Sequence, residues 1–236
     1  MMSKIFKTGI CYKPYLYFNL YFKNRALKKR KTYSQHREDL FIDDYFKDKE
    51  NGFYLDIGCY HPIKYSNTAL LFNRGWKGIN IDMNQTSIDM FNILRKEDKN
   101  ICAAISNESK EATQYLDHQF SPVNSLGKKF SDTVSKEISF SSHLERKIHT
   151  YKFSQITEAQ NIKDIQIDFI NIDAEAHDFE VLEGIDLNIY KAKLICIEML
   201  DFENKINEKK FQDYLTKYNY NLIKIIGPNG IFELKN

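Results

Sequence analysis

Phe53-Tyr54-Leu55-Asp56-Ile57-Gly58 and Ile79-Asn80-Ile81-Asp82 are the two stretches on which the reading of this chain turns. Each is a short, β-prone apolar run that ends where a ligand could be met, the first at a glycine and the second at an acid. Between them residues 67–74 read as a helix with Ser66 as its cap. The alternation continues with a helix over 87–96, a strand over 101–105 and further strands over 169–173 and 194–198. Strand and helix in turn predict an α/β fold with a mostly parallel, doubly wound sheet. Upstream, Ser34 as N-cap with Glu38 four residues later introduces Leu40, Phe41, Tyr45 and Phe46 at helical spacing. Downstream, a helix over 208–218 precedes strands over 222–226 and 231–234. Gly227-Pro228-Asn229-Gly230 joins these two as a C-terminal antiparallel hairpin at the sheet edge. Trp76, the only tryptophan, is expected beneath the second strand.

A chain of 236 residues holds one good core, so two parts are expected: an N-terminal extension over 1–32 and one catalytic domain over 33–236. The net charge of +2 hides an asymmetry: residues 1–31 carry nine Lys or Arg and no acid, which leaves the remainder net acidic. An acidic body is a poor match for a phosphate backbone, so no nucleic-acid partner is expected. Contact with an anionic surface is confined to residues 1–31, where aromatic and basic side chains interleave as an interfacial segment requires. The alternative for this arm is a helix whose aromatics pack on the domain or on a second subunit, and the oligomeric state is left open. The apolar stretch from Tyr15 to Phe22 is too short to span a bilayer and lacks a small-residue cleavage site. Four scattered cysteines without a C-x-x-C pair indicate neither a disulfide framework nor a zinc site. Together these features predict a cytoplasmic protein, with at most a peripheral contact at the inner membrane face.

In open α/β sheets ligands bind beyond the carboxyl ends of the strands. There Gly58 would let backbone approach a ligand, Asp56 could meet an ammonium group, and Asp82, about 25 residues on, stands where an acid accepts hydrogen bonds from ribose hydroxyls. The turn lacks the further glycines that cradle a pyrophosphate, so the expected ligand is a nucleoside without phosphates. After the strand over 169–173 comes Ile172-Asp173-Ala174-Glu175-Ala176-His177-Asp178, four ionisable groups within six residues. In an extended loop Asp173, Glu175 and His177 share a side, so a carboxylate could orient His177 as a general base, its ordinary pKa being ~6.5. The same three could instead hold magnesium or manganese, or simply start a helix, with an acid as its cap. No metal is assigned. Residues 118–145, rich in Ser, Lys and His, break the alternation and are the expected substrate loop or lid.

Taken in order, several of these stretches resemble the FkbM family of methyltransferases. They are Ser34-Gln35-His36-Arg37-Glu38-Asp39, Tyr54 to Gly58, Tyr65-Ser66-Asn67-Thr68, Arg74-Gly75-Trp76 running to Asp82, and Ile172 to His177 with Val181-Leu182-Glu183-Gly184. The resemblance implies a Rossmann-like fold and S-adenosylmethionine as cofactor. It implies a cofactor-binding set of Asp56, Gly58, Cys59, Asp82, Met83, Ala104 and Ser106. Asp56 and Gly58 would stand at the methionine end, Asp82 at the ribose and residues 103–106 around the adenine, with Asp173, Glu175 and His177 facing the methyl acceptor. Family members typically methylate oxygen on a sugar, glycan or related natural product, so the acceptor is expected to be a small molecule or glycan. Ala176 stands where the family often has glycine, and Cys59-Tyr60-His61-Pro62 replaces a more glycine-rich turn.

Other classes compete. A nucleotide-dependent oxidoreductase or sugar-nucleotide enzyme fits Asp82 but lacks the glycine fingerprint. A non-catalytic cofactor-binding module tethered to a glycan-assembly complex would bind without turnover. A nucleic-acid methyltransferase would need phosphate contacts that only the basic arm supplies.

Overall fold

The computed structural model describes residues 11–25, 30–116, 125–126, 144–201, 203 and 205–235. The expected lid over 118–145 lies almost wholly outside the described residues. A seven-stranded sheet forms the centre, in the order β3-β2-β1-β7-β8-β10-β9. Its strands are β1 (Phe53–Ile57), β2 (Lys77–Asp82), β3 (Lys99–Cys102), β7 (Phe169–Ile172), β8 (Leu194–Glu198), β9 (Tyr220–Ile226) and β10 (Asn229–Leu234). The first five pair in parallel, and β10 inserts antiparallel between β8 and β9. The hairpin is therefore present, with β9 alone as the sheet edge. Its turn is tighter than expected: only Gly227 and Pro228 separate the strands, and Gly227 takes a positive φ of 58°.

β1 shows why this sequence must sit in the middle. Four of its five residues are buried, because parallel strands are covered on both faces by their crossover helices. Leu55 and Ile57 point into a cluster with Ile79, Ile81, Ile170 and Ile172, roofed by Phe153 and Ile156 of α5 (Phe153–Ala159), Val181 and Leu182 of α6 (Asp178–Glu183), and Phe211 and Leu215 of α7 (Glu208–Leu215). Tyr54 points the other way, into a cluster with Trp76, Phe169, Ile42 and Phe46 of α2 (Glu38–Tyr45) and Leu71 of α3 (Ala69–Asn73). Each such apolar side chain taken from water is worth about 1.5–3 kcal/mol. Gly78 is required because the Tyr54 ring lies across it: a Cβ there would fall 2.3 Å from the ring.

Two local expectations change. Ser34 is no N-cap: α2 starts at Glu38 after Arg37, which has φ 73°. The Ser34 hydroxyl instead joins Thr32 and the Tyr33 amide in donating to the buried carboxylate of Asp39. The strand expected over 101–105 is two strands, since the chain leaves the main sheet after Cys102 and Ala104–Ile105 (β4) pairs instead with β6 (Leu144–Tyr151). β6 also pairs antiparallel with β5 (Glu111–Leu116), completing a second, three-stranded sheet that the sequence pattern did not announce.

Part of the N-terminal extension docks on the domain. Its helix α1 (Tyr12–Phe18), continued by a π-helical turn over Asn19–Lys23, buries Leu16 and Leu20 against Met90 of α4 (Gln85–Leu94), and the Tyr12 hydroxyl donates to Asp89 at 2.6 Å. Buried His61 lies between Asn19 and Asn24 of this segment, and its Nδ1 accepts the amides of Ile63 and Lys64. Burial holds this imidazole far down, at about 3, so it is neutral. On the outer face Tyr17, Phe18, Tyr21 and Phe22 are exposed. Among the described residues no helix is long and apolar enough to cross a membrane.

Candidate active site

A cleft of about 790 Å³ opens beyond the carboxyl ends of β1, β2, β3 and β7, the position such sheets reserve for ligands. One wall is the apolar set Ile57, Ile81, Ala103, Ala104 and Ile105, and Asp82, Asp173, Glu175 and His177 also line the cleft. Among the described residues none that lines it is Lys or Arg.

Asp82 ends β2 on this wall. Its carboxylate accepts the Asn84 amide at 2.6 Å, and the Asn84 side chain in turn caps α4 by accepting the Thr86 amide. Burial, aided by Asp56 and Asp173 and opposed by Asn84 and Ser87, pushes Asp82 up to about 7. Met83 and Ala104 also line the cleft.

Gly58 lines the cleft and has a further job in the packing. At φ 81° its missing side chain makes room for protein, since a Cβ would fall 1.7 Å from the Asp173 carbonyl oxygen. The close approach seals the ends of β1 and β7 together, with the Asp173 amide donating to Ile57 at 3.0 Å.

Asp56 sits behind the cleft wall. Strand alternation turns it to the Tyr54 side, where it is 2% exposed and accepts from Thr68 at 2.6 Å and Asn171 at 2.9 Å. Nearby, fully buried Arg95 donates to Tyr54, Thr68, Ser66 and the Pro62 carbonyl and stacks against Phe72 and Phe91. Asp98 completes the network by accepting from the Tyr54 hydroxyl, Asn80 and the Gly78 amide. Cys59 is likewise buried, against Ile88 and Phe91.

After β7 the loop Ala174 to His177 is not extended. Glu175 and Ala176 both take positive φ, 53° and 64°, so the chain doubles back into α6. Asp173, Glu175 and His177 all line the cleft, yet the carboxylate beside the His177 ring is Glu180, one helical turn on, with Oε2 3.7 Å from Nδ1. On the other side of the ring Nε2 is 3.1 Å from the Ser106 hydroxyl. Ser106 itself is buried behind the wall, beside Gly184, whose Cβ would strike the Ser106 carbonyl at 2.3 Å. Burial lowers the His177 pKa, Glu180 opposing. A different set of acids converges next door: Asp173, Asp178 and Glu198 each offer an oxygen within 4.8 Å of the others. Asp178 was noted from sequence as one of the four ionisable groups after the strand, without a role, whereas Glu180 and Glu198 were not singled out. Glu180 follows His177 at helical spacing, and Glu198 ends the strand beside β7, which is the signal that could have found them.

A mostly parallel sheet of this order, with an acid at the carboxyl end of β2 and a cleft across the ends of β1, β2 and β7, defines the Rossmann-like methyltransferase class. The family model described as Methyltransferase FkbM domain matches residues 56–222. The chain therefore belongs to the FkbM methyltransferase family and is a methyltransferase. No curated protein and no solved structure matches it significantly.

Proposed function

We propose that this methyltransferase uses S-adenosylmethionine to methylate a hydroxyl oxygen of a sugar, glycan or related natural product. The observation that carries the reading is the charge of the cleft: among the described residues three acids and no Lys or Arg line it, with an apolar wall. Such a lining repels phosphates and suits a nucleoside that is itself cationic. When bound, S-adenosylmethionine supplies an electrophilic methyl group on a positively charged sulfur. Asp82, which lines the cleft at the end of β2, accepts hydrogen bonds from the ribose beside those it takes from Asn84 and Ser87. Ala103, Ala104 and Ile105 cover the adenine and exclude water.

The remaining task for the protein is alignment of the acceptor oxygen and acceptance of its proton. His177 serves there. In the tautomer that carries its hydrogen on Nδ1, toward Glu180, the Nε2 lone pair that now faces Ser106 exchanges that contact for the acceptor hydroxyl in the reaction. Glu180 then steadies the imidazolium that forms, and the proton transfer to His177 contributes ~100-fold or more. Calorimetric titration with S-adenosylhomocysteine tests the reading. Micromolar binding that Asp82→Ala weakens by ~1–3 kcal/mol is expected. Absence of binding, or binding of NAD alone, would sink it.

A further inference from the structure

We propose that Asp173, Asp178 and Glu198 bind one divalent cation of the magnesium or manganese kind, where the nucleoside cleft meets a second, polar cleft. Three elements bring the acids together. Asp173 follows β7, Glu198 ends the neighbouring parallel strand β8, and Asp178 opens α6. The double left-handed turn at Glu175 and Ala176 carries Asp178 back toward Asp173. One oxygen from each carboxylate lies within 4.8 Å of the others, a span that oxygen ligands at about 2.0–2.6 Å from a shared ion can fill.

A second observation points to a missing partner. Asp178 is 1% exposed, and its Oδ1 accepts the Ala174 amide at 2.7 Å, which fixes the carboxylate in place. Its Oδ2, together with Oε2 of Glu198, is shielded from solvent and has no hydrogen-bond partner. Carboxylate oxygens only accept, and leaving one buried and unmatched costs about 1–3 kcal/mol or more. Among the described residues no Lys or Arg forms an ion pair with any of the three. A cation satisfies both orphaned oxygens at once. Three hard oxygen donors without nitrogen or sulfur select magnesium or manganese over zinc.

Asp173 and Glu198 also line the second cleft, of about 560 Å³, whose walls include Gln35, Asn67 and Asn229. The ion's open coordination positions face that cleft and suit an oxygen-rich acceptor. This last step rests on the methyl-transfer reading of the main cleft; cation binding itself does not.

Loss of the free-ion electron paramagnetic resonance signal of Mn²⁺, added to the chelator-treated full chain, is the test. One site per chain is expected, weakened at least about tenfold by Asp178→Asn and by Glu198→Gln, as for altered ligation. Thermal melts confirm that the variants fold, and if Asp178→Asn does not, Glu198→Gln decides alone. Failure of the wild-type chain to take up Mn²⁺ at millimolar concentration, or uptake that Glu198→Gln leaves unchanged, overturns the proposal. Titration with S-adenosylhomocysteine in parallel separates the two readings. Nucleoside binding without Mn²⁺ uptake sinks the cation alone, whereas Mn²⁺ uptake without nucleoside binding upholds the cation and sinks methyl transfer.

Discussion

The two halves of the site treat their buried acids in opposite ways. On the side of β1 and β2, Asp56 and Asp98 are each met by two or more donors and lie near the Arg95 guanidinium. On the side of β7 and β8, burial first and neighbouring acids second raise the pKa values of Asp173, Glu175, Asp178 and Glu198, and among the described residues none of the four is ion-paired with a Lys or Arg. The first half is nearly finished by the protein itself, Arg95 Nε being the atom of this network left without a hydrogen-bond partner. The second is built short of positive charge, and that charge must come from protons or from what binds there. A rigid, self-satisfied half suits a cofactor that is the same in every cycle; a half that awaits its counter-charge suits the reacting partners.

Breaking the finished half should cost the most. Arg95→Met removes five hydrogen bonds and leaves the Asp56 and Asp98 carboxylates buried without their counter-ion. Loss of one partner from a buried ionic network typically costs about 3–5 kcal/mol. Urea denaturation should register that loss, and a change below about 1 kcal/mol would show that the two halves do not differ as argued.

That network also marks the limit of what the sequence disclosed. Strand ends at Gly58 and Asp82 were legible because strand periodicity, a breaker and an acid coincide within a few residues. Arg95 was not, since a cation at the end of a helix reads as solvated, whereas here the residue folds back beneath β1 and β2. The second sheet escaped because Glu111–Leu116 and Leu144–Tyr151 mix charged with apolar residues, and a long segment separates them. Asp173, Glu175 and His177 all line the cleft, but their mutual geometry was not readable from sequence. It depends on two consecutive left-handed residues, neither of them glycine. Glu198 joins Asp173 only through sheet pairing.

A smaller effect sharpens the comparison at the boundary between the halves. Asp82 is raised to about 7 by burial, against an ordinary value near 3.8. A carboxyl whose folded pKa is raised binds its proton more tightly in the folded chain. Its stabilising contribution is therefore full below about pH 4 and is lost as pH rises through 7. Because the cleft is open to water, the total should be on the order of 2 kcal/mol rather than the full value of the shift. Asp82→Asn should flatten this part of the stability–pH curve of the ligand-free protein. An unchanged slope would mean that the carboxylate is already satisfied.

The smallest expected effect probes the loop that builds the unfinished half. Ala176 holds φ 64°, where a side chain costs about 1 kcal/mol that glycine does not incur. Against this stand the greater freedom of glycine in the unfolded chain and the loss of a methyl group that is 5% exposed. The terms nearly cancel, so Ala176→Gly is expected to change stability by less than about 1 kcal/mol in either direction. If instead it destabilises by more than that in thermal melts, the methyl group is a packing element of the acceptor wall. The left-handed turn would then be held by its side chains, and the loop that delivers Asp178 would be as finished as the half across the cleft.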